Sequence, residues 1–157
     1  MGRVIAADRV EAVYRSVHVR LRRSLLSYTG DADVASDAEA EAFAQVLRRG
    51  DAIDDVGAWV WRSAFRIAGG LLAERSTMSR PPRADGSAQA DGSVAEFLCL
   101  LAGLSVQQRA CVALRYVGEY TSVEIGEILG TSAGTVRVQL SRAHASLRQT
   151  IMEADHA

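Results

Sequence analysis

The chain has 157 residues, of which 48% are hydrophobic, 24% charged and 6% aromatic. This length allows one domain or two small ones, and the composition excludes a disordered chain. The net charge of −1 excludes a uniformly basic coat, so any contact with nucleic acid must come from local basic stripes. The sequence shows neither a signal-peptide run nor a membrane-spanning stretch, which predicts a cytoplasmic protein without membrane insertion.

Cysteine and histidine usage argues against a catalytic or metal site. Cys99 and Cys111 lie in apolar helical contexts without a second pair, so neither a zinc site nor a disulfide framework is indicated. The three histidines, His18, His144 and His156, are scattered. No nucleophile–base or metal-ligand spacing occurs, and no glycine-rich loop follows a strand. We therefore expect a protein that is not an enzyme and that holds no metal or cofactor.

Helical periodicity dominates the first half of the chain. Residues 8–28 predict a first helix and residues 33–49 a second. The second is acidic in its first half and ends in Arg48 and Arg49, which suits the helix dipole. The predicted buried positions are Val10, Val13, Val17, Leu21 and Leu25 in the first helix, and Val34, Ala38, Ala42 and Val46, flanked by Phe43 and Leu47, in the second.

A third predicted helix, starting near residue 54, is apolar on more than one side. Trp59, Trp61 and Phe65 cannot all share the stripe that its core-spaced residues form. Arg62 and Arg66, four residues apart, make a basic edge beside these rings. Aromatic rings interleaved with Arg suit a surface on which unpaired bases stack. Trp59 is predicted to complete the core, whereas for Trp61 core packing and base stacking stay equally open.

Composition changes between residues 76 and 93, STMSRPPRADGSAQADGS. This stretch holds both prolines and many Gly, Ser and Asp residues, which predicts a flexible linker over residues 77–93. The chain then divides into a first domain, residues 1–76, and a second, residues 94–157. Three or four packed helices can support a domain of either size.

The second domain is predicted to open with an apolar helix over residues 94–102. Ser105 and Gln108 form a capping box for the next helix, which Gly118 ends. The predicted buried residues of that helix are Val112, Ala113 and Tyr116. No strand alternation of useful length occurs, so the predicted fold is all-α, with two small helical domains joined by the linker.

Residues 121–147 have the capping residues, turn glycine and apolar spacing of a helix-turn-helix. Thr121 and Glu124 form a capping box for its first helix, and Gly130 is placed for the positive φ that ends it. Ser132 can cap the second helix, and the small Gly126 lets the two helices approach closely. The predicted apolar positions are Ile125, Ile128 and Leu129 in the first helix, and Val136, Leu140, Ala143 and Leu147 in the second.

The second helix of this motif carries one sign of charge. Residues 132–150 include Arg137, Arg142, His144 and Arg148 but no acidic residue, and the first turn is small enough to approach a groove. A helix that only packs more often mixes both signs on its solvent face. The pattern favours DNA binding over a plain three-helix domain with a solvated basic face.

These residues resemble a known family. The stretch LSVQQRACVALRYVGEYTSVEIGEILGTSAGTVRVQLSRAHASLR, residues 104–148, resembles region four of an extracytoplasmic-function (group IV) σ factor of bacterial RNA polymerase, in the σ70 family. Residues 35–49 resemble the acidic, clamp-binding helix of region two in that family, and residues 58–68 resemble its promoter-melting helix. The order of these segments, the spacing between them and the linker also match the family, so the resemblance covers nearly the whole chain.

The resemblance implies a σ factor that binds core RNA polymerase at the largest-subunit clamp and at the flap, recognises promoter DNA, and is held by an anti-σ factor until a signal arrives. The implied polymerase-binding residues are Asp37, Glu41, Gln45 and Arg48. The implied contacts to the melted −10 element are Trp61, Arg62, Ser63 and Arg66. The implied −35 residues are Ser132, Ala133, Gly134, Arg137, Val138 and Ser141 near base edges, with Arg142 and Arg115 on phosphates.

Two other functions stay open at this point. A helix-turn-helix regulator that does not act as a σ factor would have no use for the acidic helix that ends in Arg48 and Arg49. An anti-σ or scaffold protein would carry a helix-turn-helix that packs without binding DNA, and the acid-free second helix argues against that.

Overall fold

The computed structural model describes residues 2–77 and 92–157, and within these ranges it contains helices and turns without any strand. The all-α prediction is confirmed. The helices are α1 (Gly2–Thr29), α2 (Ala32–Arg49), α3 (Val56–Thr77), α4 (Gly92–Ala102), α5 (Val106–Val112), α6 (Ser122–Leu129) and α7 (Ala133–Asp155). A 3-10 turn (Gly50–Ala52) precedes α3, and a π-helical turn (Ala113–Val117) continues α5. Most of the predicted linker, residues 78–91, lies outside the described residues.

The first domain is a three-helix unit in which α1, α2 and α3 pack against one another. Its α2 begins where the Asp31 carboxylate accepts hydrogen bonds from the N–H groups of Asp33 and Val34, at 2.9 and 3.1 Å. The whole predicted α2 stripe is buried, and so is Phe43, whereas Leu47 is 57% exposed. Among the apolar positions predicted for α1, Val10, Leu21 and Leu25 are buried and Val13 and Val17 are half-buried.

Two ion pairs tie the helices of the first domain together. Arg75, near the end of α3, pairs with the buried carboxylate of Asp31. The Arg22 Nε of α1 donates to Glu39 Oε2 of α2 at 2.7 Å, and the Glu39 side chain is only 2% exposed. The paired residues lie 44 and 17 positions apart in sequence, so neither pair had a local signal. The structure describes no helix long and apolar enough to cross a membrane.

Local signals in the second domain are confirmed at the starts of α5 and α6 and at the end of α6. Both capping boxes form: Ser105 with Gln108 at the start of α5, and Thr121 with Glu124 at the start of α6. Gly130 ends α6 with φ of 72°.

The turn between α6 and α7 depends on a glycine. A Cβ placed on Gly126 would lie 2.6 Å from the Thr131 carbonyl oxygen, well inside van der Waals contact. The Thr131 N–H in turn donates to the Gly126 carbonyl at 2.8 Å, so backbone meets backbone across the turn. The predicted close approach of the two helices is confirmed.

One burial prediction in this domain is wrong. Tyr116 is 55% exposed, and the buried residues beside it are Ala110, Cys111, Val112, Ala113 and Leu114. The π-helical turn accounts for the difference, because its wider spacing shifts every following side chain around the helix axis.

The two domains touch along one seam, where α1 and α3 meet α5, its π-turn and α6. The Trp61 ring packs edge-on against Tyr120, with 4.9 Å between centroids. The Arg20 guanidinium lies 5.5 Å from the centroid of each ring. Arg109 Nε donates to the Tyr28 carbonyl at 2.5 Å. We call these five residues the domain seam.

Substituting Gly126 tests the close approach within the helix-turn-helix. We expect Gly126→Ala to lower the free energy of unfolding by about 1–3 kcal/mol, because the new methyl group meets a backbone oxygen that cannot rotate away. Denaturant titration followed by circular dichroism measures this change.

Gly70→Ala is the matched control, since nothing lies within 4 Å of a Cβ at that exposed position in α3. We expect it to stabilise the protein by up to about 1 kcal/mol, the helix-propensity difference. Equal effects of the two substitutions would contradict the steric account.

Candidate nucleic-acid interface

The first turn of α7 presents backbone and small side chains to solvent. Ser132 Oγ accepts a hydrogen bond from the Thr135 N–H at 3.1 Å and so caps the helix, as predicted. Val136, Leu140 and Ala143 turn inward and are buried. The residues predicted to meet the −35 element all lie on the outer side: Ser132, Gly134, Arg137, Val138, Ser141 and Arg142 are exposed, and Ala133 is half-buried.

The arginines of this surface are free to meet an anion. Within the part of the chain that the structure describes, Arg137, Arg142 and Arg148 form no ion pair. Arg115, at the π-turn, donates from NH1 to the Tyr120 carbonyl at 3.3 Å and keeps its remaining donors exposed. The acidic residues of α7, Glu153 and Asp155, come only at its end. The outer face of α7 is therefore positive and unpaired where a groove would meet it.

The predicted −10 residues are divided between surface and core. Arg62 and Arg66 are exposed on α3, whereas Ser63 is 3% exposed and Trp61 only 1%. Trp61 and Ser63 are therefore not accessible in this arrangement, and their contact with DNA stays a prediction. Trp61 is covered by Tyr120 and by Phe65, whose ring centroid lies 6.2 Å away.

Of the two tryptophans, the one whose role the sequence left open, Trp61, is the more deeply buried. Trp59, expected in the core, is half-buried, with the Arg49 guanidinium 5.4 Å from its centroid. Trp61 is the ring that fills the core beside the seam. Periodicity could not decide between them, because the partners that bury Trp61 come from α1 and from the other domain.

The basic edge of α3 lies along a groove between the domains. Arg62 and Arg66 line a groove of about 680 Å³ together with Glu127, Gly130 and Thr131 of the helix-turn-helix. The basic edge of α3 thus faces α6 and the turn that follows it, whereas none of the predicted −35 residues lines this groove. Tyr120, Arg20 and Arg109 help to build this arrangement, and sequence reasoning missed all three because an isolated Arg or Tyr has no periodic signal.

The predicted polymerase-binding residues share one side of α2. Glu41 Oε1 accepts from Gln45 Nε2 at 3.2 Å and from Arg48 NH2 at 2.8 Å. The hydrogen bond from Gln45, followed by that from Arg48, lowers the pKa of the Glu41 carboxyl below its usual value. Asp37, one turn earlier, is exposed. The surface is charged and ordered by its own side chains before any partner arrives.

The described residues give little support for a metal site or for a reactive cysteine. No group of three His, Cys, Asp or Glu side chains there could hold a metal ion. Burial raises the pKa of the Cys111 thiol to about 11, so this side chain stays protonated at neutral pH.

Comparison with known proteins agrees with the geometry. The family profile "Sigma-70, region 4" matches residues 95–147. Curated relatives from Mycobacterium tuberculosis strains, each named ECF RNA polymerase sigma factor SigL, are 26% identical over 172 residues, covering 98% of this chain and 97% of theirs.

Two solved structures share the fold. CnrH in complex with the cytosolic domain of CnrY has a TM-score of 0.72 at 20% identity and covers 98% of both chains. The sigma factor RpoE from Bartonella quintana, in complex with the anti-sigma factor NepR, has a TM-score of 0.70 at 16% identity, covering 88% of this chain and 95% of that one. The region-four match and the full-length likeness to SigL support an extracytoplasmic-function σ factor of the σ70 family, and the shared fold agrees with them.

Proposed function

We propose that this chain directs core RNA polymerase to promoters through three surfaces. The outer face of α7 enters the major groove of the −35 element, α2 docks on the polymerase clamp, and the Arg62 and Arg66 edge of α3 meets the −10 element. The observation that carries the proposal is the α7 surface, which is exposed, positively charged and unpaired at the end of a capped helix-turn-helix. Such a factor works in the cytoplasm, where polymerase and chromosome meet.

The fit of α7 to a major groove follows from its dimensions. A major groove about 12 Å wide admits one α-helix, and small residues at the helix start let the backbone approach the bases. Ala133 and Gly134 supply that small first turn. Arg137, one turn further on the same exposed side, reaches forward with the bidentate donors that suit guanine.

The α2 surface supplies what a plain DNA-binding regulator would not need. Asp37 and Glu41 recur at helical spacing on one exposed side, and Arg48 lies close enough to bond Glu41. Charged groups of both signs on one ordered face favour a charged protein partner. A helix-turn-helix regulator that does not act as a σ factor is the second candidate, and it predicts that this face is dispensable.

Promoter binding requires the domain seam to open. The −35 and −10 elements lie about 25 base pairs apart, which at 3.4 Å per pair is roughly 85 Å along the duplex. Helices α3 and α6 contact each other across the seam, so they cannot serve both elements in this arrangement. We therefore expect the seam to separate when polymerase and promoter are bound, exposing Trp61 as it does so.

A protein partner that holds the chain closed fits the same arrangement. RpoE of Bartonella quintana was solved with the anti-sigma factor NepR, and CnrH with the cytosolic domain of CnrY. We propose that this chain also has an anti-σ partner, which would stabilise the seam and keep Arg62 and Arg66 inside the groove.

Arg137→Ala tests base recognition by α7. We expect it to cost roughly 1–3 kcal/mol and to relax preference at a single base pair, because one bidentate contact is lost. Binding of the polymerase complex to single-position variants of a selected duplex measures this. Arg142→Ala, assigned to a phosphate, should instead weaken all variants equally, and a uniform loss for Arg137→Ala would make it a phosphate contact too.

Charge reversal of α2 tests polymerase docking. We expect Asp37→Arg with Glu41→Arg to reduce promoter-specific transcripts about tenfold or more, because two charges meet the wrong sign on the clamp. In vitro transcription with core polymerase and a genomic fragment library measures this. The control is Glu11→Arg on α1, an exposed charge outside the proposed surface. Unchanged transcription would contradict the docking surface, and absent transcripts with retained duplex binding would favour the regulator.

Tyr120→Ala tests the domain seam. In a Trp59→Phe background, Trp61 is the remaining one of the two tryptophans, and its fluorescence reports on burial. We expect Tyr120→Ala to shift the emission to the red and to increase acrylamide quenching, because Trp61 loses the ring that covers it. Tyr116→Ala, an exposed tyrosine of the same domain, should change neither. Unchanged emission for both variants would show that Tyr120 does not hold the seam.

A further inference from the structure

The segment between α5 and α6 has an unusual backbone. It begins with the π-helical turn (Ala113–Val117), continues through Gly118, and places Glu119 at a φ of 61°, a left-handed conformation rare for a residue with a side chain. A Cβ on Gly118 would lie 2.8 Å from the Leu114 carbonyl oxygen. Such departures cost free energy and concentrate at functional positions.

The turn directs Tyr116 onto α7. Its hydroxyl lies 2.6 Å from His144 Nε2, and the two ring centroids are 5.7 Å apart. Both side chains are exposed, Tyr116 by 55%. A regular helix would have turned this tyrosine toward the core, as the periodicity predicted. Because of the π-turn, the Tyr116 ring lies at the surface, where its hydroxyl pairs with His144.

The pair continues the proposed DNA-binding face. Arg137, Ser141, His144 and Arg148 follow one another at helical spacing, and all four are exposed. His144 comes seven residues after Arg137, which is about 10.5 Å along the helix axis. That rise is comparable to the width of a major groove, about 12 Å. With Arg137 at the base edges, His144 lies near the rim of the groove, where the phosphates are.

Counting donors shows what the pair can offer. A tyrosine hydroxyl and a neutral histidine each carry one polar hydrogen, and the bond between them uses one. If Tyr116 donates to Nε2, the His144 Nδ1–H is left; if His144 donates, the Tyr116 O–H is left. In either tautomer the pair keeps one donor that their mutual bond does not use, both side chains are exposed, and a phosphate oxygen is an acceptor.

We propose that Tyr116 and His144 together form an uncharged phosphate contact at the edge of the −35 groove. The contact rests on the proposed function, because it requires α7 to occupy the groove. It fixes the register of α7 on the duplex without reading sequence, as phosphate contacts do. The π-helical turn after α5 positions Tyr116 for this contact.

Tyr116→Phe tests the contact with the ring left in place. The full chain bound to core polymerase is titrated with a duplex selected from a random-sequence pool, at pH 8 and at several salt concentrations. We expect affinity to fall about three- to tenfold, the effect of one neutral hydrogen bond. The loss should be the same for duplexes of different sequence. The salt dependence should not change, because no charge is removed.

A modified duplex and three further variants make the test specific. Replacing single phosphates by uncharged methylphosphonates should reveal one position at which wild type and Tyr116→Phe bind equally. Tyr14→Phe is the matched control: Tyr14 is also an exposed tyrosine beside a histidine, His18, with centroids 4.7 Å apart, but it lies on α1. It should bind as wild type does. His144→Ala should lose as much as Tyr116→Phe, and the double variant no more than either.

The outcomes separate this contact from the function on which it rests. Affinity within twofold of wild type for both Tyr116→Phe and His144→Ala, together with a loss for Arg137→Ala, would overturn the contact and leave the σ-factor function standing. Failure of the wild-type chain to select any duplex would overturn both. Thermal unfolding of Tyr116→Phe checks that the fold is retained, and His144→Ala gives an independent measurement if it is not.

Discussion

The packing of Trp61 between Arg20 and Tyr120 is the contact that joins the two domains. It buries a large ring almost completely and places a cation over two aromatic faces, an arrangement that stabilises by about 0.5–2 kcal/mol per pair. It is also incomplete, because Trp61 Nε1 and Arg20 Nε are buried without a hydrogen-bond partner among the residues that the structure describes. Each such group costs about 1–3 kcal/mol, which offsets much of the gain. A seam balanced in this way can hold the domains together and still open for a stronger partner.

The helix-turn-helix rests on a different kind of contact, one that is local. Gly126 brings α6 within backbone distance of the turn, and Gly130 reverses the chain in the left-handed region. Ser132 then starts α7 with a capping hydrogen bond, so that the direction of α7 is set within seven residues of sequence. This explains why α7 can present its arginines at a defined angle whatever the first domain does.

The difference between local and distant contacts also separates what the sequence predicted from what it could not. Capping residues, turn glycines and apolar stripes act within a few residues, and the predicted boxes at Ser105 and Thr121 form as expected. The sequence left the role of Trp61 open, because Tyr120, from the other domain, is one of the rings that cover it. Tyr116 was placed inside because periodicity assumes 3.6 residues per turn, and the π-turn does not obey it. The basic outer face of α7 could be predicted from the sequence, because its charge pattern does not depend on contacts with other elements.

The net charge of −1 conceals how the charges are divided. Positive charge without a partner collects on the outer face of α7, while Glu124 and Glu127 lie on α6, the helix that faces α3. In the closed arrangement Arg62 and Glu127 therefore line the same grooves, and the arginine edge faces carboxylates of its own chain. Under the proposed function, opening the seam would move those carboxylates away and leave the edge to nucleic-acid phosphates. A phosphate backbone carries a far denser charge than two glutamates, so the proposed exchange would favour DNA once polymerase held the domains apart.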